Sequence, residues 1–135
     1  MTEVLSHEKC SIESLQLANV GMGELGFLSF CTGIKKSNQC QLKYLNLSCN
    51  EIKVHEDNAR YVKVCLEKLP VAKIELQNNQ LGDIGGDIFG YILGTLYGRS
   101  EISTNLEYLD LSSNHMKSMG LDSLCSGLCL NKKIT

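Results

Sequence analysis

No stretch of this sequence approaches the roughly 18 consecutive apolar residues of a membrane-spanning helix. Its hydrophobic residues, 43% of the total, must therefore be spread through a folded core. Neither sign of charge is in excess: 13 Lys and Arg stand against 15 Asp and Glu. A net charge of −2 gives no electrostatic reason to expect nucleic acid or an anionic membrane as a partner. The longest lysine runs, Lys35-Lys36 and Lys132-Lys133, read as solvated helix ends. The opening decapeptide, MTEVLSHEKC, is too polar for a signal peptide. Tryptophan is absent and proline occurs once, as Pro70. A chain of 135 residues is long enough for one domain, 1–135, with a real core.

Catalytic signatures are missing as well. There is no Gly-x-Ser-x-Gly elbow and no His-Glu-x-x-His helix. His7, His55 and His115 stand far apart with no carboxylate or thiol spaced to match, and each reads as a surface histidine. Cys125 and Cys129, four apart on one helix, make at most half a metal site. A structural zinc takes four ligands and no second pair follows, so core packing is the reading. The segment GDIGG lacks the lysine of a phosphate loop and reads as close packing. No catalytic residue, metal or cofactor is expected. The seven cysteines are odd in number and irregular in spacing. Cys31, Cys65, Cys125 and Cys129 fall in apolar helical frames, as small buried hydrophobes do. A cytoplasmic or otherwise reducing setting is expected, with signal-less secretion into a host cell left open.

What the sequence does have is a recurring frame. In LKYLNLSCNEI, Leu42, Leu45, Leu47, Asn50 and Ile52 hold fixed offsets. VAKIELQNNQL repeats them with Val71, Ile74, Leu76, Asn79 and Leu81, and LEYLDLSSNHM with Leu106, Leu109, Leu111, Asn114 and Met116. A weaker copy, IESLQLANVGM, begins at Ile12. There Val20 takes the asparagine position and Asn19 comes one place early. The frames start at 12, 42, 71 and 106, spacings of 30, 29 and 35 residues. Gly26, Gly85 and Gly120 share the position six beyond the asparagine.

Each frame is followed by a helical apolar pattern. These patterns are Leu25, Leu28, Cys31 and Ile34; Ala59, Val62, Leu66 and Leu69; Ile84, Ile88, Ile92 and Leu96, widened by Phe89 and Leu93; and Leu121, Leu124 and Leu128. Pro70 closes the second helix before the next strand. Glu56-Asp57 suits the N-terminal end of a helix dipole. Each unit is strand, turn, helix and return.

This pattern resembles the leucine-rich repeat, and its long helical units resemble the ribonuclease-inhibitor-like subclass, over roughly Ile12 to Thr135. The resemblance implies an α/β fold: a right-handed solenoid of four strand–helix units, with a parallel sheet on the concave face and helices on the convex face. Residues 1–11 would form a partial N-terminal cap and 131–135 the start of an incomplete fifth unit. The longer third unit places an exposed loop at GRSEISTN.

A Leu-x-Leu strand sends both leucines to one side, which in this fold is the interior. The bend from strand to helix then strands backbone groups indoors, and an unpaired buried group is costly. A carboxamide both donates and accepts, so Asn50, Asn79 and Asn114 are expected to form a ladder serving the bends. Between the leucines, outward residues form columns: Ser14, Tyr44, Lys73, Tyr108; then Gln16, Asn46, Glu75, Asp110; then Ala18, Ser48, Gln77, Ser112. At a strand spacing of about 4.8 Å, Lys73 stands between two tyrosines.

Tyr44, Asn46, Lys73, Glu75, Gln77, Tyr108 and Asp110 are therefore the expected contacts for a protein partner. The resemblance implies a non-enzymatic protein-binding module, as in immune-type receptors, cytoskeletal regulators, inhibitors and host-directed effectors. A fragment or self-associating segment, pairing through uncapped ends, is the alternative. Some members of the subclass activate Ran-type GTPases through an arginine beside the strand ends. Here Arg60 and Arg99 fall in and after helices, on the wrong side. The triplet NLS at Asn46 reads as an accidental glycosylation sequon, since Leu47 within it is core.

Overall fold

A computed structural model of the chain describes residues 7, 11–37, 40–95, 106–131 and 134. Its elements alternate: β1 (Ser14–Gln16), α1 (Gly23–Lys36), β2 (Tyr44–Asn46), α2 (Glu56–Glu67), β3 (Lys73–Glu75), α3 (Gly82–Thr95), β4 (Tyr108–Asp110) and α4 (Ser118–Leu130). The strands form one parallel sheet in chain order. Only three residues per strand are needed, because the pairing continues past each strand through Leu17 N–H to Asn46 C=O, Leu47 N–H to Glu75 C=O and Leu76 N–H to Asp110 C=O, at 2.8–2.9 Å.

The register aligns Leu15, Leu45, Ile74 and Leu109 in one column. Leu45 and Ile74 are buried there with Leu42, Leu47, Val71, Leu76 and Leu106. The helices close over them with Phe27, Phe30, Cys31, Ile34, Val62, Cys65, Leu66, Ile88, Phe89, Ile92 and Leu93. Cys31 and Cys65 meet across α1 and α2. The hydrogen bond to Cys31, and then burial, push the Cys65 thiol far above its ordinary range, so it stays protonated and acts as packing.

The turns after the strands share a backbone state. Asn19, Cys49, Asn78 and Ser113 occupy the same place in successive coils and have φ of 54°, 57°, 55° and 54°. That left-handed conformation suits Asn better than most side chains. The early asparagine of the first coil is therefore no displaced ladder residue: Asn19 fills the bend position that Asn78 fills in the third.

Several expected placements are corrected. Leu25 points out and is 80% exposed; Phe27 and Phe30 take the interior of α1, their rings stacked with centroids 6.4 Å apart. Leu121 and Leu128 are 48% and 39% exposed, because among the described residues no coil lies beyond β4 and α4 to cover them. Cys125 and Cys129 are exposed on α4 rather than buried. Most of the expected cap at 1–11, Leu96, the loop at GRSEISTN with Arg99, Lys132-Lys133 and most of the expected fifth unit lie outside the described residues.

Glycines set the distance between the last two helices. A side-chain carbon added at Gly120 would stand 2.6 Å from Asp83 Cα, and one at Gly86 2.6 Å from Gly120 Cα. At Gly127 it would stand 2.8 Å from Gly90 Cα. The last glycine of GDIGG, Gly86, is thus a helix–helix contact. Gly85 instead accommodates the Leu81 side chain, and Gly26 that of Met22.

Candidate interaction face

The outward residues of four short parallel strands make one continuous surface. Its first column is Ser14, Tyr44, Lys73 and Tyr108, and its second Gln16, Asn46, Glu75 and Asp110, in strand-to-strand register. Lys73 Nζ lies 5.2 Å from the centre of the Tyr44 ring and 4.5 Å from that of Tyr108, both within cation–π range. The same ammonium group meets Glu75 Oε1 at 2.6 Å. Glu75 Oε2 accepts hydrogen bonds from Asn46 Nδ2 at 2.7 Å and Tyr44 Oη at 3.1 Å. Tyr44, Asn46, Lys73 and Glu75 therefore form one network with Glu75 at its centre.

The Glu75 carboxylate beside Lys73 raises the lysine's pKa above its ordinary value. Glu75 is only 14% exposed in its side chain, while Tyr108 is 47% exposed. Asp110 is not part of the network; its Oδ1 accepts from Ser112 N–H and Oγ at 2.9 and 2.7 Å. Gln77 borders the network along the strand ends. Its Oε1 and the Oγ of Ser48, in the same column one coil earlier, are buried and have no partner among the described residues. Unmatched buried polar atoms are costly and give this edge of the face spare hydrogen-bonding capacity.

Beneath the face runs the carboxamide ladder. Asn50 Oδ1 accepts from Val20 and Met22 N–H at 3.0 and 3.1 Å. Asn79 Oδ1 accepts from Asn50 and Ile52 N–H at 3.1 and 3.0 Å. Asn114 Oδ1 accepts from Leu81 N–H at 3.3 Å. The Nδ2 groups donate to carbonyls of their own turn and the preceding coil: Asn50 to Leu17 and Leu47, Asn79 to Leu47 and Leu76, Asn114 to Leu76 and Leu111. All three asparagines are buried. Each one serves the bend of the coil before it, so the first bend is held by Asn50 and Val20 leaves nothing there unserved.

The sequence comparisons agree with this geometry. A family model described as Leucine Rich repeat matches residues 38–53 and 103–125. In these two stretches the chain matches leucine-rich repeats, and its four coils share one strand–helix form. Over 130 residues, 96% of its length, it is 28% identical to the NACHT, LRR and PYD domains-containing protein 4C of Mus musculus. It spans 12% of that protein's length. The strand–helix units of the repeats are compatible with the ribonuclease-inhibitor-like subclass.

The convex side of the repeats carries features not read from the sequence. Lys35 Nζ lies 5.2 Å from the Tyr61 ring centre and Lys63 Nζ 3.0 Å from that of Tyr91, while Tyr61 Oη and Thr32 Oγ1 are 2.6 Å apart. Tyr61 and Tyr91 are 30 apart in sequence, one coil's length, and that spacing was the available signal. Carboxylates on one helix also serve the start of the next. Asp83 Oδ1 accepts from Lys117 and Gly120 N–H at 2.7 and 3.0 Å. Glu24 meets His55 Nε2 at 2.9 Å and Asn58 Nδ2 at 3.1 Å. His55, expected as an isolated surface histidine, is thus an inter-coil partner, reached across 31 residues of sequence. Arg60 is exposed on α2, remote from the concave strands.

Proposed function

We propose that this repeat segment recognises a protein partner through its concave face, with Tyr44, Lys73 and Tyr108 as anchors and Asn46, Glu75, Gln77 and Asp110 as polar contacts. Leucine-rich repeats generally mediate protein–protein interaction. The observation that carries the assignment to this face is the placement of Lys73 between two tyrosine rings with its charge held by Glu75. Ordering these side chains before contact reduces the entropy lost on binding. Aromatic residues with a polar tip are frequent anchors at interfaces. The similarity to a protein whose name includes LRR beside other domains supports the reading of a recognition segment. We place that recognition in a reducing compartment, where the thiols of Cys31 and Cys65 stay as they are packed.

The test is quantitative capture from cell lysate with wild type, a Tyr44→Ala/Tyr108→Ala double variant and Arg60→Ala, each first checked for folding by circular dichroism. Proteins retained by wild type and Arg60→Ala and lost by the double variant are the expected result. Equal retention by the double variant contradicts the concave assignment. Loss confined to Arg60→Ala moves the site to the helical side and reopens GTPase activation.

A further inference from the structure

The two inner strands, β2 and β3, spend their charge within the chain. Glu75 Oε1 holds Lys73 Nζ at 2.6 Å, and Glu75 Oε2 takes the donors of Asn46 and Tyr44. The ammonium group otherwise lies against the Tyr44 and Tyr108 rings. Asn46 Oδ1 accepts from Ser48 N–H at 2.9 Å, so both ends of that amide are in use. Lys43, at the entrance to β2, is paired with Glu13 at 2.7 Å. Both strands have a paired neighbour on each side, so this part of the face is complete in itself.

What stays unmet there is acceptor capacity. Ser48 and Gln77 stand side by side where the pairing runs on through Cys49 N–H to Gln77 C=O at 3.0 Å. Gln77 Oε1 and Ser48 Oγ are buried with no partner among the described residues. Ser48 is only 3% exposed and lies on the outward side of its strand, since Leu47 points in. Gln77 is part-exposed, so its amide can turn Oε1 toward an incoming donor.

We propose that this part of the concave face takes an uncharged stretch of the partner, one that sets an apolar side chain on the Tyr44 ring and offers an N–H group to Gln77 Oε1. The inference rests on the concave face being the recognition surface and adds the chemistry of what it recognises. An acidic partner brings further acceptors to an edge that lacks donors, and it finds Lys73 already engaged. A cationic partner is buried beside the Lys73 ammonium group with no free carboxylate on β2 or β3, and an uncompensated charge is costly to bury. A backbone or carboxamide N–H supplies the missing donor without charge. An apolar side chain gains by covering the aromatic ring.

Selection of phage-displayed random peptides on the immobilised chain tests the proposal, the enriched peptides then being synthesised and titrated by fluorescence anisotropy. Peptides poor in charged residues are expected, with affinities that change by less than about threefold between about 0.01 M and about 1 M salt, a range over which exposed charge contacts are screened. Gln77→Met keeps the length of the side chain and removes Oε1. It is expected to weaken these peptides about threefold to tenfold, the worth of one hydrogen bond, with the fold intact by circular dichroism. Tyr44→Ala is expected to abolish binding and Arg60→Ala to leave it unchanged. Peptides lost with Tyr44→Ala yet rich in acidic or basic residues, or weakened more than about tenfold by salt, would overturn this proposal and leave the concave reading standing. Undiminished binding by Gln77→Met would do the same. Peptides indifferent to Tyr44→Ala, or no enrichment at all, would remove the concave reading and this proposal with it.

Discussion

Asn79 illustrates how single residues hold the repeats together. Its oxygen takes two backbone N–H groups of the preceding coil, and its nitrogen reaches carbonyls of both coils. Asn79→Ala strands several buried groups at once, and one alone is worth about 1–3 kcal/mol. Urea denaturation is expected to show at least that loss for Asn79→Ala and little change for the exposed neighbour Gln80→Ala. A second residue-scale prediction concerns Glu51, held at φ 54° where a side chain is strained. Glu51→Gly is expected to raise stability by up to about 1 kcal/mol, the strain relief exceeding glycine's added freedom when unfolded; a fall in the urea midpoint counts against it. The asparagines were legible in the sequence because a buried carboxamide needs a fixed place in an apolar frame. The direction of the ladder was not, since the spacing of Asn50, Asn79 and Asn114 is the same whichever neighbouring coil they serve. Nor were the left-handed bends at Cys49 and Ser113, which carry residues with no special preference for that conformation.

At the scale of elements, α3 and α4 approach so closely that glycine is required at some positions and merely present at others. Gly127 packs on Gly90; Gly127→Ala must push the helices apart, at about 1–3 kcal/mol. At Gly94 an added carbon meets Leu130 Cδ1 and Gly127 Cα at 3.4 and 3.5 Å, near ordinary contact. Gly94→Ala is therefore expected to stabilise by about 0.5–1 kcal/mol through helix propensity. Opposite signs for these two substitutions in thermal melts check the account; the same sign contradicts it.

The contact between α1 and the start of α2 adds a pH dependence. Hydrogen bonding by His55 holds the Glu24 carboxyl below its ordinary value, aided by the charges of His55 and Lys53 and by Asn58. A lowered carboxyl pKa stabilises the fold above the unfolded value, and the contribution fades as pH falls through the folded one. Glu24→Gln is expected to lower stability slightly at pH values above the unfolded carboxyl pKa and so to flatten a small part of the acid-side loss, the two proteins converging at strongly acid pH; an unchanged acid limb contradicts this. The apolar periodicity of α2 and α3 was readable because their inner faces are covered on both sides. That of α4 was equally periodic, yet its leucines stay exposed, since periodicity marks an apolar face without supplying what covers it.

Across the whole molecule, the outward columns follow from strand alternation once the register is fixed, and Tyr44, Lys73 and Tyr108 stand together for that reason. The charge pairing of Lys73 with Glu75, and the separation of Asp110 from that network, depended on rotamers the sequence does not specify. The convex tyrosine–lysine contacts escaped notice because their partners are 26 and 28 residues apart in sequence and meet only after the coils have stacked. Stacking through buried carboxamides is what turns four short units into one surface, and site-resolved amide hydrogen exchange of Asn79→Ala examines it most directly. The account predicts that protection is lost first at the amides of Asn50 and Ile52, in the coil preceding the substitution. Protection retained at those two amides while the third coil's own turn opens would contradict it.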